Sequence, residues 1–266
     1  MSEIKRVLVT GVSSGIGLAV ADKLIEIGVE VYGIDLSDAK EKVGLRFFKC
    51  DVTDTETVKI TAQALADEGV VLDAIVNVAG IHMMTSLVEG DYSKMKKLID
   101  INLGGVMLVN RLFHPLLREG GRILIVTSEV AGLDPLPFNG LYTVSKTALD
   151  SYSQALRQEL NLIGQKVITV RPGAIETPLA KKSISATEAL AESTKLYSNG
   201  ASKFSGIAKR FMGTPIPPEH IAALITKALT KKHPRLTYSK HRNPGLLLLG
   251  MLPIRLQCFI IKLLLR

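Results

Sequence analysis

Arg6-Val-Leu-Val-Thr-Gly-Val-Ser-Ser-Gly-Ile-Gly17 is the stretch that decides the fold. Its apolar opening, Arg6 to Thr10, reads as a buried strand. Ile16 to Ile27 then carries the spacing of an amphipathic helix that ends at Gly28. Between them, and running into the helix's first residues, lies a turn with three glycines. A strand that passes through such a turn into a helix is the context a phosphate cradle needs. Gly11, Gly15 and Gly17 permit tight turning and close backbone approach, with Ser13, Ser14 and Ile16 in the same turn. The helix N-terminus favours negative charge.

Working outward, strand and helix patterns alternate. Strands are expected at Val29 to Ile34, Phe47 to Cys50, Ala74 to Val78, Arg122 to Thr127 and Val167 to Val170. Helices are expected at Thr57 to Glu68, Met95 to Arg118, Tyr142 to Ile163 and Glu219 to Leu229. Short apolar runs between longer helical segments predict an α/β fold, a doubly wound parallel sheet with helices on both faces. Pro178 to Gly213 is rich in Ser, Ala and Lys with weak periodicity, and reads as a helical lid or loop over a site. The expected division is a catalytic domain over residues 1–230, its lid at about 178–214, and a C-terminal tail over 231–266.

The net charge of +8 is unevenly placed. From His220 to Arg266 there are nine Lys/Arg and no Asp or Glu, which leaves 24 basic against 25 acidic residues before it. The basic excess therefore belongs to the tail, and such an apolar tail suits an anionic lipid surface better than nucleic acid. Two cysteines, Cys50 and Cys258, make no disulfide framework and read as small buried hydrophobes. The N-terminus lacks a signal-like apolar stretch, so a cytoplasmic location is expected. No metal site is expected.

Asp35 ends the second strand. A carboxylate there accepts hydrogen bonds from an adenosine ribose and repels a 2′-phosphate. Ser14, before Gly15, offers no cation for such a phosphate. Both features favour NAD over NADP; the alternative is that Asp35 caps the turn at Leu36-Ser37-Asp38. Asp51 and Val52 flank the adenine in one reading and belong to a helix cap with Thr53 in the other. Tyr142 and Lys146 stand four apart, on one face of a helix. An ammonium beside a phenol lowers its pKa, which suits proton exchange with an alcohol or ketone. The plainer reading of Tyr142 by itself is a surface aromatic.

These residues together resemble the short-chain dehydrogenase/reductase family over roughly Lys5 to Leu229. The motifs run in order: Thr10-Gly-(x)3-Gly-x-Gly17, Asn77-Val-Ala-Gly80, Asn102, Tyr142-(x)3-Lys146, and Arg171-Pro-Gly173 with Thr177. The resemblance implies a Rossmann-like fold and a nicotinamide cofactor. It implies that Asn77, Ala79 and Gly80 support the sheet near the adenosine, and that Tyr142 is the catalytic acid/base. Lys146 would hold the nicotinamide ribose, and Asn102, at a local break in its helix, would hold a water in a proton relay. Thr177, after Pro172, Gly173 and Ile175, would contact the nicotinamide carboxamide. A homo-oligomer is expected by the same resemblance, and steroid- or retinol-oxidising members are nearest in character.

One position departs from the family's pattern. Its serine usually stands thirteen residues before the tyrosine, and that count lands here on Glu129. Ser128 is one residue early, and a one-residue slip in a strand turns a side chain to the other face. Three readings stay open: a bulge re-aims Ser128, Glu129 itself meets the substrate, or the site is crippled. The favoured expectation is Glu129 in the serine's place, as a fourth catalytic residue with Tyr142, Lys146 and Asn102. The crippled site gives the alternative function, a cofactor-binding interaction protein without turnover.

Leu246 to Leu265 is almost all apolar, yet Pro253, Arg255 and Lys262 interrupt it, so no transmembrane span is expected. On a helical wheel Arg255, Lys262 and Arg266 share one narrow stripe. That pattern suits a helix lying in a membrane interface; the alternative is a helix packed on the domain or across a dimer. Met83, Met84, Leu133 and Pro135 to Phe138 are expected to line an apolar pocket. The expected activity is NAD-dependent interconversion of an alcohol and a ketone or aldehyde on a hydrophobic substrate, a hydroxysteroid, bile acid or retinoid-like molecule. Nucleic acid is not an expected partner.

Overall fold

The computed structural model describes residues 4–211 and 214–266. Side-chain alternation along the strands builds its two layers of core. β1 (Arg6–Thr10), β2 (Glu30–Asp35), β3 (Leu45–Lys49), β4 (Leu72–Asn77), β5 (Leu117–Val126), β6 (Lys166–Pro172) and β7 (Thr237–Lys240) form one sheet in the order β3-β2-β1-β4-β5-β6-β7. Every pairing is parallel. Val7 and Val9 of β1, with Leu124 and Val126 of β5, face α1 (Gly15–Glu26) and α8 (Glu219–Thr230). Leu8, Ile123 and Ile125 point the other way, into a second cluster with α2 (Thr55–Asp67), α4 (Val106–Phe113) and α5 (Gly140–Asn161). With period 2, neighbours on a strand serve opposite faces, so both faces need a helical cover. Ile123 and Leu124 are each fully buried, and truncating either to Ala costs about 2–5 kcal/mol.

Strand order reverses between β1 and β4, and open α/β sheets bind ligands outside the strand ends at such a point. The β1–α1 turn and Gly80 both lie there.

The structure changes three expectations. The segment Met95 to Arg118 is not one helix. α3 (Tyr92–Ile99) runs into a π-helical turn (Asp100–Gly105), then α4, then a 3-10 turn (His114–Leu116). Pro115 lies in that last turn, and β5 already begins at Leu117, paired with Leu72. The sheet also continues past residue 230: β7 pairs with β6 from Thr169↔Thr237 to Pro172↔Lys240. Finally, Cys50 is buried but Cys258 is exposed.

The lid forms two helices, α6 (Pro178–Ser193) and α7 (Ser198–Phe211); Met212 and Gly213, at its expected end, lie outside the described residues. The tail folds into α9 (Pro244–Gly250) and α10 (Ile254–Leu265), and α10 packs on α7. Among the described residues no helix is long and apolar enough to cross a membrane.

Candidate active site

The β1–α1 turn is built as the sequence predicts. Gly11 and Gly15 have φ of 77° and 55°. A Cβ on Gly17 would lie 1.9 Å from the Gly11 carbonyl oxygen, so only glycine lets α1 start this close to the turn. Ser14 is the exposed N-cap of α1, and its side chain makes no capping bond. The first N–H groups of α1 are therefore left to an anion, which fits a dinucleotide's pyrophosphate. Ile16 continues this turn into the main cleft. Thr10 Oγ1 accepts from Val78 N at 3.0 Å and Ala79 N at 2.9 Å, tying the two strand ends together.

Asp35 sits where the sequence places it, at the end of β2. Its Oδ2 accepts from Ser13 N at 2.9 Å and Ser13 Oγ at 2.7 Å, and Oδ1 accepts from Ser37 N at 2.9 Å. The carboxylate both closes its own turn and borders the cradle. Asp51 accepts from Thr53 N and Oγ1 at 2.9 and 2.7 Å, while Asp54 caps α2. Val52 packs against Gly105 of the π turn, where a Cβ would meet it at 2.7 Å. Asn77 Nδ2 donates to Asn110 Oδ1 at 2.8 Å, and Asn110 donates on to the Tyr152 hydroxyl at 3.3 Å.

Asn102 is fully buried in the π turn. Its Oδ1 accepts from Ile81 N at 2.8 Å, and its Nδ2 donates to Ile81 O at 2.9 Å and to Ser145 Oγ at 3.1 Å. Ser145 in turn donates to Tyr142 O at 2.7 Å. The helix break thus links the β4 loop to the helix that carries Tyr142. Ser145 was not foreseen; its place three residues after Tyr142 on one helix face is the signal that marks it.

Tyr142 and Lys146 share a face of α5, with the Lys146 ammonium 5.9 Å from the Tyr142 ring centre. Lys146 Nζ donates to Val126 O at 3.4 Å, and a Cβ on Gly80 would lie 3.5 Å from it. The expectation that Lys146 lowers the phenol's pKa is corrected: burial pushes Tyr142 up to about 12, against the Ser128 hydrogen bond, with the Glu129 charge adding to the rise. Burial also lowers Lys146 to about 8. Enclosure outweighs attraction because both groups lose water together. The His82 ring lies 4.4 Å from that of Tyr142 and bonds Asn139 Oδ1 at 2.9 Å; burial lowers it to about 4, so it is neutral.

Glu129 lines the cleft beside Ser128, and has a second tie, to the tail. Ser128 acts on the Tyr142 phenol to lower its pKa, while the Glu129 charge raises it. Past β5 the chain still follows β6, with Thr127 N and Glu129 N donating to Val170 O and Pro172 O. The chain turns at Ser128, whose carbonyl accepts from Ala131 N at 3.1 Å, and both Ser128 and Glu129 line the cleft. Glu129 also reaches the tail at the cleft wall, where its Oε2 accepts from Asn243 N. Burial raises the Glu129 carboxyl, opposed by the Asn243 N–H and by Arg242 and His241. Counting back from Tyr142 does not by itself choose between Ser128 and Glu129, because residues 127–139 form a loop whose length is not set by strand or helix period.

These groups open on a cleft of about 810 Å³. Pro172, Gly173, Ile175 and Thr177 form its rim after β6; Thr177 Oγ1 caps α6, accepting from Ala180 N at 3.2 Å. A Cβ on Gly15 would meet Thr177 at 3.2 Å, so this rim touches the cradle. Met84, Leu136 and Pro137 line the cleft as expected. Phe138 instead holds the lid, its ring centre 5.8 Å from Tyr197 and 5.5 Å from Phe204. The tail supplies walls the sequence did not reveal: Leu246 and Leu249 from α9, Ile261 and Leu265 from α10.

A family model described as short chain dehydrogenase matches residues 5–188. The chain belongs to the short-chain dehydrogenase family. The NADPH-dependent 1-acyldihydroxyacetone phosphate reductase of Schizosaccharomyces pombe is 34% identical over 205 residues, 74% of this chain and 69% of that protein. Estradiol 17-beta-dehydrogenase 2 of Mus musculus is 33% identical over 191 residues, 65% of this chain and 49% of that protein. A crystal structure of a short-chain dehydrogenase from Streptomyces avermitilis superposes with a TM-score of 0.73 at 25% identity, covering 99% of this chain and 96% of that one. The chain is accordingly an oxidoreductase of this family, and the family implies a nicotinamide cofactor.

Proposed function

We propose that this dehydrogenase interconverts an alcohol and a ketone or aldehyde on a large apolar substrate, of hydroxysteroid, bile acid or retinoid-like character. The observation that carries this reading is the Ser128–Tyr142 pair beside Lys146, at the wall of an apolar cleft of about 810 Å³. A nicotinamide cofactor, held by the β1–α1 turn, Lys146 and Thr177, would supply or take the hydride. The remaining work belongs to the chain. Ser128 and Tyr142 hold the substrate oxygen, and Tyr142 gives or receives its proton. Lys146 and Thr177 border the cofactor's side of the cleft, and Asn102 steadies the backbone on which Tyr142 rides. The apolar lid and tail exclude water. The place of Ser128 beside Tyr142 on the cleft wall supports turnover over a site disabled at Glu129.

Asp35 supports NAD over NADP, because a 2′-phosphate would face its carboxylate. The Schizosaccharomyces pombe relative is named for NADPH, so the two cofactors are the first comparison to make. The test is a panel of steroids, retinoids and simple alcohols with each cofactor, followed by absorbance of the reduced nicotinamide. Apolar alcohols with NAD should react fastest. Faster reaction with NADP overturns the role of Asp35, and turnover confined to small polar alcohols overturns the substrate class.

The outer face of the tail supports docking on an anionic lipid surface from the cytoplasmic side. Leu248, Met251, Ile254, Phe259 and Leu263 are exposed there, among the exposed Arg255, Lys262 and Arg266. A second copy of the chain is the competing cover, in keeping with the expected homo-oligomer. Phe259→Ser with Leu263→Ser should abolish flotation with phosphatidylserine vesicles. Flotation equal to that of the unaltered protein contradicts the docking face, and a shift from dimer to monomer without lipid assigns it to a second copy.

A further inference from the structure

Glu129 is a half-buried acid on the cleft wall that also reaches the tail. Its Oε2 accepts from the backbone N–H of Asn243, the residue that starts α9. Asn243 Oδ1 then caps α9, accepting from Gly245 N at 2.8 Å and Leu246 N at 3.2 Å. One carboxylate therefore sets where α9 begins, and so where Leu246 and Leu249 meet the cleft. The same loop grips the tail again further on: Gln257, 4% exposed, donates to Asp134 Oδ2 at 2.7 Å. Between these two clasps the tail turns back from α9 into α10, whose Ile261 and Leu265 also face the cleft. The seat beneath is tight, since Gly173 N donates to Lys240 O at 2.9 Å and a Cβ on Gly173 would lie 1.7 Å from His241 O.

We propose that Glu129 is a positioning residue that pins the C-terminal helices as the outer wall of the cleft, and thereby sets selectivity for long apolar substrates over short ones. The selectivity half rests on the substrate class proposed above; the anchoring half does not. A carboxylate on a backbone N–H is a charge-assisted, directional tie, and Glu129→Ala removes it. A long substrate needs the wall for its far end, while a short alcohol is held by Ser128 and Tyr142 alone.

The experiment compares Glu129→Ala, Glu129→Gln and the unaltered full chain. Glu129→Leu, which fills the volume without an acceptor, takes the alanine variant's place if that variant unfolds. Hydrogen exchange reads the anchor directly. Amides of residues 243–246 should exchange at least about tenfold faster in Glu129→Ala, with Glu129→Gln staying near the unaltered protein because its amide oxygen still accepts. Kinetics read the wall: the ratio of KM for a twelve-carbon secondary alcohol to that for 2-propanol should rise at least about fivefold in Glu129→Ala and be restored in Glu129→Gln. Unaltered exchange in Glu129→Ala overturns the anchor. Faster exchange with an unmoved KM ratio overturns the role in selectivity. An unaltered protein that oxidises no apolar alcohol counts against the proposed substrate class instead, and the exchange result still decides the anchor.

Discussion

Lys146→Met should make the cofactor-free protein more stable at neutral pH while removing its activity. Lys146 is 5% exposed, and burial lowers it from 10.5 to about 8. A gap of about 2.5 units corresponds to about 3 kcal/mol of cost in keeping the ammonium inside. Below pH 8 the folded and unfolded chains both carry the proton, and the folded one bears the whole cost. Between 8 and 10.5 the unfolded chain binds more protons than the folded one, so stability rises with pH until the cost is gone. Methionine fills a similar volume without charge, but gives up the hydrogen bond to Val126 O at 3.4 Å, worth about 1 kcal/mol. The net expectation is a gain of about 2 kcal/mol at pH 7, shrinking to about zero near pH 9.5 as the unaltered protein recovers. Urea unfolding of both proteins at the two pH values, followed by ellipticity, measures this. A methionine variant less stable at pH 7, or a difference that does not change with pH, refutes the reasoning.

Two further outcomes follow from the geometry around the cleft. Ser128→Ala should lower kcat at least about tenfold, about 1.4 kcal/mol in barrier, and adding Glu129→Ser in that background should not restore it; recovery in the double variant would return the serine's place to position 129. Gly17→Ala would set a Cβ 1.9 Å from the Gly11 carbonyl oxygen, so the turn must open. It should destabilise the fold by about 1–3 kcal/mol and weaken binding of reduced nicotinamide dinucleotide by fluorescence titration, and unchanged binding would separate the turn from the cofactor.

The parts legible in the sequence are those governed by local period. The alternation of strands and helices, the glycine turn, and the shared face of Tyr142 and Lys146 all follow from spacing within one element or one turn. The π turn at Asn102 was legible only through the resemblance, since no propensity marks it. Longer-range features were hidden. β7 is four residues long and mostly polar, and only its pairing with β6 makes it a strand. Glu129 and Asn243 lie 114 residues apart, so no window of sequence joins them. The choice between Ser128 and Glu129 depended on a loop, where neither the period of a strand nor that of a helix applies. The direction of the Tyr142 shift was misread for a related reason: the neighbouring amine is visible in sequence, but the depth of burial is not.

The central claim is that the Tyr142 hydroxyl carries the proton of the reaction. Tyr142→Phe keeps the ring beside His82 and removes only that oxygen. With a reactive apolar alcohol and saturating cofactor, the initial rate of nicotinamide reduction should fall at least about a hundredfold, while cofactor binding holds within about twofold. A phenylalanine variant that oxidises the alcohol at close to the original rate would contradict the account.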